Sequence, residues 1–299
     1  MMVTTARPRA YEILWDWLPL LAGTSVSTLA TMGLPGWAVM WALTFSLYGG
    51  FKWLTWRLAL RQLQPRPATA RSLAYLFLWP GMNAAAFLAS ESTDRSPPMN
   101  EWLRAMRNMT GGAVVLWGLA ARFMAWRMWA AGWAGLVGIG LLLHFGVLHL
   151  LSLTWRRVGV VATPIMQRPA AAHSLTDFWG RRWNTAFRDL AHQLVYKPLA
   201  RRWGTRHAMA AVFLFSGVLH DVAISIPARA GYGLPTLYFL LQAVGVEIER
   251  SSVGRRWHLR SGLRGWFFAA VMVLGPACLL FHPPFLRHVV LPFINALGA

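Results

Sequence analysis

Apolar stretches close to the length of a bilayer's hydrocarbon core recur along this 299-residue chain, and no other feature restricts its fold as strongly. Crossing roughly 30 Å of hydrocarbon takes about 20 apolar residues in a helix. Eight stretches approach that length: Ile13–Leu34, Trp37–Trp56, Leu73–Leu88, Met109–Met124, Trp129–Leu153, Met209–Ile226, Leu234–Ile248 and Gly265–Phe281. Hydrophobic residues make up 56% of the chain and charged residues 13%, values a soluble domain of this size rarely reaches. Lipid offers no hydrogen-bond partners, so spanning segments must pair their own backbone groups as helices or closed barrels. The expected fold is an all-α integral membrane protein of about eight transmembrane or re-entrant helices, plus an interfacial amphipathic helix.

Arg7 and Arg9 precede the first stretch, which Asp16 interrupts, and no small-residue cleavage site follows, so a retained first span is expected instead of a removed signal peptide. Cys278, the single cysteine, lies in an apolar segment, which excludes a disulfide framework and a cysteine-rich metal site. No metal and no cofactor are expected. A net charge of +19 would suit nucleic acid, but the arginines sit between hydrophobic stretches instead of forming a basic domain, so no nucleic-acid partner is expected. Lys52 and Lys197 are the only lysines among 29 basic residues, a bias that points to a GC-rich bacterial genome and hence to the inner membrane.

Basic residues near span ends stay cytoplasmic. Three basic loops, Lys52–Arg71, Arg156–Arg206 and Arg250–Arg264, are therefore expected on that side. Between the first two lie three apolar stretches, an odd number that would separate them, so one must not cross. Leu73–Leu88 is the candidate because Trp79-Pro80-Gly81-Met82-Asn83 breaks a helix and supplies polar groups; a kinked full span with a miscounted neighbour is the equal alternative.

From Ser174 to Leu199 the sequence SLTDFWGRRWNTAFRDLAHQLVYKPL places Trp179, Trp183, Phe187, Leu190 and Leu194 on one helical face. Ser174 or Thr176 can cap its start, and Arg181, Arg182, Arg188, Asp189, His192 and Lys197 fill the polar remainder. An amphipathic helix in the membrane interface accounts for all of these except Asn184, which lies about 100° around the helix from Trp183, so that its amide can point inward. Farther on, His220 and Asp221 interrupt the apolar stretch Met209–Ile226. Charge at the bilayer centre costs at least ~2.5–3.5 kcal/mol, so intramembrane ionisable groups face a cavity or a partner. A neutral core histidine is the plainer account of a lone His, and it serves for His144 and His149, whose spacing puts them off a common metal-binding face.

The run SLTDFWGRRWN followed by SGVLHD resembles the membrane-bound O-acyltransferase family, most closely its wax-synthase-like branch. LWPGM at Leu78–Met82 and YFLLQAVGVEIE at Tyr238–Glu249 share the resemblance, which covers roughly Trp79 to Glu247. It implies a single domain over 1–299 with a family-like core at about 79–249, helices around a catalytic tunnel, and a catalytic pair of His220 and Asn184. Asp221 departs from the Glu more usual after the His, which leaves its role open. The implied reaction carries an acyl group from acyl-CoA to an acceptor hydroxyl, on a long-chain alcohol as in wax ester synthesis or on another lipid or metabolite.

The residue types suit that chemistry. Attack by an alcohol on a thioester needs a base, and a neutral imidazole serves near pH 7. An amide such as Asn184 can orient the base, hold the substrate or donate to the oxyanion. No GxSxG elbow, HExxH pair or GxxxxGK[ST] loop is present, and Cys278 has no basic neighbour, so direct transfer is favoured over a covalent acyl-enzyme. Trp183, Arg181, Arg182, Arg188, Asp221 and Gln242 are the further candidates for binding substrate, the arginines through the phosphates of CoA. A headgroup-binding face explains the arginines equally well, and a tie between helices explains Gln242. Two other classes fit parts of the pattern: a proton-coupled carrier using His220 and Asp221, and a scaffold anchored by the amphipathic helix.

Overall fold

The computed structural model describes residues 10–31, 33–89 and 96–299, and side chains from Leu14 onward within them; Arg7 and Arg9 lie outside the described residues. All regular elements among these residues are helical. Helix α1 (Ala10–Ala30) runs back along α2 (Gly36–Leu60). Asp16, only 2% exposed near the start of α1, meets Arg57 at 3.0 Å and Arg61 at 2.6 Å near the end of α2. A carboxylate removed from water requires such partners.

Lys52 corrects one expectation. It does not open a basic loop but lies inside α2, fully buried, with Nζ 2.8 Å from the Gly81 carbonyl and over the face of Tyr75. There it holds the turn after α3 (residues 69–78), which breaks at Trp79 and resumes as the 5-residue α4 (Ala84–Leu88), capped by Asn83. Neither piece is long enough to cross a membrane, and the break falls where the Trp-Pro-Gly sequence is expected to cause one.

Helices α5 (residues 99–124) and α6 (Met128–Arg157) form a second hairpin, packed so closely that a Cβ on Gly112 would lie 2.4 Å from the Leu142 backbone nitrogen. After a loop come α7 (residues 175–182) and α8 (Thr185–Ala228), the latter interrupted at Gly204 by a φ of 80°. Helix α9 (Leu234–Arg250) returns against α8. The short α10 (Ser252–Arg256), α11 (Gly262–Leu280) and α12 (residues 283–296) complete the order.

Among the described residues, three helices are long and apolar enough to cross a bilayer: Met128–Arg157, Thr185–Ala228 and Gly262–Leu280. The chain is an all-α membrane protein, but the expected eight segments are not reproduced as eight such helices. The remaining stretches form helices that are short, broken or, like α2, richer in tryptophan and charge. One buried cluster unites Phe213, Ile224, Phe239 and Val246 of α8 and α9 with Val290 and Ile294 of α12. A second joins Phe51, Leu54 and Met82 to Met166, Ala186 and Leu190. The two flank the segment that carries the conspicuous polar residues.

Candidate active site

Asn184 stands at a break between α7 and α8. Its backbone is left-handed, φ 42° and ψ 63°, a region that asparagine tolerates better than most residues. The Oδ1 caps the new helix by accepting from the Phe187 N–H at 3.1 Å. Residues 164–167 brace the break from the side: Gln167 N–H donates to the Arg182 carbonyl at 2.7 Å, Thr185 N–H to the Ile165 carbonyl at 2.9 Å, and Asn184 N–H to the Met166 Sδ at 3.3 Å. The amide Nδ2 of Asn184 has no partner among the described residues, so its two hydrogens remain open donors.

This geometry overturns the expected continuous helix from Ser174 to Leu199. The break turns Trp183 outward, where it stacks on Phe178 at 5.5 Å, while Leu190, expected on the same face, is buried. A 3.6-residue period carries no information about a single left-handed residue. The expected cap is present: Ser174 Oγ accepts from the Asp177 N–H at 3.0 Å. A second cap comes from far along the chain, since buried Glu249 Oε2 accepts from the N–H groups of Leu175 at 2.6 Å and Thr176 at 3.1 Å.

His220 lies within α8, at the point where its α-helical turns pass into a π-helical turn at Asp221–Ser225. Its Nδ1 is 2.7 Å from the Ser216 carbonyl. A carbonyl oxygen only accepts, so Nδ1 carries the proton, and the neutral ring has its lone pair on Nε2, which meets no hydrogen-bond partner among the described residues. The ring packs 4.5 Å from Phe239 and 6.4 Å from Phe187, centroid to centroid. Phe187 is thus common to both candidates, binding Asn184 through its N–H and facing His220 with its ring.

One turn before His220, a Cβ on Gly217 would sit 2.7 Å from the Thr236 Cα, so only glycine lets α9 approach this closely. One residue after it, Asp221 accepts from Ser225 Oγ and Gly233 N–H, both at 2.8 Å, and from Thr236 through its N–H at 3.0 Å and its hydroxyl. The carboxylate therefore caps α9 and ties it to α8. Gln242 is similarly engaged, donating to the Met272 carbonyl at 2.7 Å and accepting from Trp179 Nε1 at 3.3 Å.

The arginines expected at the site separate. Arg181 is exposed; Arg188 pairs with its neighbour Asp189 at 2.5 Å; Arg182 pairs with Asp177 at 2.6 Å. Burial pushes the Asp177 carboxyl up, but the Arg182 guanidinium and the His173 N–H outweigh it and hold it below its ordinary value. Sequence reasoning missed a polar cleft of about 510 Å³ lined by Glu101, Arg104, His149, Arg156, Met166, Arg168 and Arg182. Glu101 binds Arg156 at 2.6 Å there and faces His149 at 3.9 Å. Met166 borders both this cleft and Asn184. His149 also lines this cleft, and no short-range spacing links it to Glu101.

Residues 162–241 match the profile of the membrane bound O-acyl transferase family. The chain is 34% identical over 147 residues, 44% of its length, to a probable long-chain-alcohol O-fatty-acyltransferase of Arabidopsis thaliana, of which this covers 42%. It is 33% identical over 146 residues to a long-chain-alcohol O-fatty-acyltransferase of Simmondsia chinensis, covering 44% of the chain and 41% of the relative. To an acyl-CoA–sterol O-acyltransferase of Arabidopsis thaliana it is 27% identical over 135 residues, 42% of the chain and 39% of the relative. The matched segment, which holds Asn184 and His220, is similar to the membrane-bound O-acyltransferase family and to its long-chain-alcohol-acylating members. The chain spans less than half the length of these relatives.

Proposed function

We propose that the protein is a membrane-embedded O-acyltransferase that moves an acyl group from acyl-CoA to an acceptor hydroxyl, with His220 as general base. The observation that carries this reading is the hydrogen bond from His220 Nδ1 to the Ser216 carbonyl, which leaves Nε2 as an open base in an apolar surrounding. Nε2 takes the hydroxyl proton as the alcohol oxygen attacks the thioester carbonyl. The Asn184 Nδ2 donates to the oxyanion that forms. Collapse breaks the C–S bond, and the imidazolium returns its proton to the departing thiolate. Ester and free CoA leave, and neither metal nor redox cofactor enters the balance.

The acceptor is an apolar alcohol in this reading. Phe187, which meets both candidates, belongs with Phe145, Leu148, Phe215 and Leu219 to one apolar cluster, and the relatives are named for long-chain alcohols and a sterol. The CoA end is assigned to the polar cleft, where Arg104 and Arg168 have no carboxylate partner among the described ion pairs, in contrast to Arg182 and Arg188. Phosphate recognition favours such uncommitted guanidinium groups. The cleft adjoins the basic segment Arg156–Arg206, so acyl-CoA approaches from the cytoplasm. One domain over 1–299 is supported by the packing of α12 into the core beside α8 and α9. An inner-membrane location rests on the arginine bias alone, since the matched relatives are plant proteins. A proton-coupled carrier fits less well, because Asp221 is engaged by Ser225, Gly233 and Thr236 in tying α9 to α8.

Purified full-length protein in nanodiscs, given labelled acyl-CoA and a panel of fatty alcohols, sterols and glycerolipid hydroxyls, is expected to form labelled ester with at least one apolar alcohol. Folded protein that binds acyl-CoA yet esterifies none of them overturns the assignment. Impermeant labelling of Arg168→Cys in a Cys278→Ser background tests the side of approach, and reaction from the outer face alone reverses it.

A further inference from the structure

At the start of α11 an apolar groove of about 490 Å³ runs between Trp257, Leu263, Trp266, Phe267 and Val271, with Arg264 the one charged residue in its lining. Its walls are open: Leu263 is 79% exposed and Phe267 64%. Besides Arg264 in the lining, the segment that leads into the groove carries Arg255, Arg256 and Arg260, all exposed, and no Asp or Glu follows Glu249 in the sequence. None of these arginines joins an ion pair among the described residues; Arg255 donates only to the Arg250 carbonyl.

We propose that this groove binds one anionic phospholipid, its phosphate held by Arg256, Arg260 and Arg264 and one acyl chain lying along α11. Position selects that occupant. The groove opens in the first turn of Gly262–Leu280, one of the helices apolar enough to cross the bilayer, and extends toward its interior. From Arg264 to Val271 is about 10 Å along a helix axis at about 1.5 Å per residue, the reach of a headgroup with the upper part of its chain. Indole rings such as Trp257 and Trp266 favour this depth, where one edge meets headgroups and the other meets chains. A water-soluble anion has no use for the apolar wall, and a zwitterionic lipid leaves three arginines without a counter-charge.

The site also touches the catalytic half of the molecule. Trp266 Nε1 donates to the Ala170 carbonyl at 2.8 Å, and a Cβ on Gly265 would lie 2.2 Å from the His173 carbonyl, so the groove backs directly onto the loop that leads to α7. The proposal does not depend on the transfer reaction.

Native mass spectrometry of delipidated full-length protein, titrated in detergent with phosphatidylglycerol or phosphatidylcholine, tests it. The expected result is one phosphatidylglycerol bound at least about tenfold more tightly than phosphatidylcholine, since each surface arginine adds roughly fivefold to the binding of an anionic lipid. The triple variant Arg256→Gln, Arg260→Gln, Arg264→Gln should erase the preference while phosphatidylcholine binding stays unchanged; Arg264→Gln alone serves if the triple variant melts early. Phe267→Ser should weaken both lipids equally. Equal binding of the two lipids by the wild type, or a preference that survives the arginine variants, overturns the proposal. Displacement of the lipid by millimolar glycerol phosphate also overturns it, because the site is then one for a soluble anion.

Discussion

The two candidate catalytic residues are held by opposite means. Asn184 sits on irregular backbone, a left-handed residue between two helices, kept in place by its own cap and by the loop residues 164–167 beside it. His220 sits inside an unbroken helical stretch, where it enters a π-helical turn, and is placed by what flanks it: Gly217 admits α9, Asp221 locks it, and Ser216 fixes the tautomer. The first arrangement stores its precision in a handful of local hydrogen bonds, the second in the packing of two long helices. Damage to one should therefore be read in local geometry and damage to the other in global stability.

Replacing the proposed base has the largest expected effect. His220→Gln retains a polar side chain of similar reach but has no base near pH 7, so transfer should fall by roughly 10²–10⁴-fold. Melting temperature and acyl-CoA binding, measured beside turnover, should stay near wild type. A folded His220→Gln protein with wild-type turnover removes His220 from the chemistry.

Asn184→Ala should cost transfer about 10²–10³-fold, the usual loss of an oxyanion donor. Asn184→Gly sharpens the comparison because it keeps the left-handed backbone while losing the amide. If the two variants lose activity alike and Asn184→Gly melts higher, the amide acts in catalysis and the backbone only in shape. If Asn184→Gly stays active, the residue serves the turn alone.

Gly217→Ala comes next. A methyl group at 2.7 Å from the Thr236 Cα forces the helices apart, with an expected loss of about 1–3 kcal/mol in stability. Turnover should fall with little change in acyl-CoA affinity, because the cleft lies on the other half of the site. An unchanged melting curve and turnover show that α9 does not position His220.

The smallest effects separate the arginines. Arg168→Gln in the cleft should raise KM for acyl-CoA roughly twofold to fivefold at constant kcat, whereas Arg188→Gln, a half-buried partner of Asp189, should change neither beyond error. The reverse ranking moves the CoA end away from the cleft.

His220 was legible in the sequence because a polar pair inside an apolar stretch demands explanation at any register. Asn184 was legible as a position but not as a conformation, since periodicity assumes every residue keeps right-handed backbone. Lys52 misled because a count of basic residues between apolar stretches cannot distinguish a loop cation from one buried against Gly81 and Tyr75. Glu249 and the Glu101 cleft were invisible for a different reason: their partners lie 74 and 55 residues away, and nothing local marks such pairs.

Glu249 carries a consequence for biogenesis. The N–H groups of Leu175 and Thr176 that open α7 receive their acceptor from a residue made 74 positions later. Buried backbone donors without an acceptor are costly. A ribosome-bound chain that has released residues up to Arg206 thus holds the Asn184 turn in sequence but not in finished form, and the turn matures only when the end of α9 arrives. Arrested nascent chains of increasing length should gain protease resistance around residue 184 in a single late step, after residue 249 has emerged and not when 184 itself does.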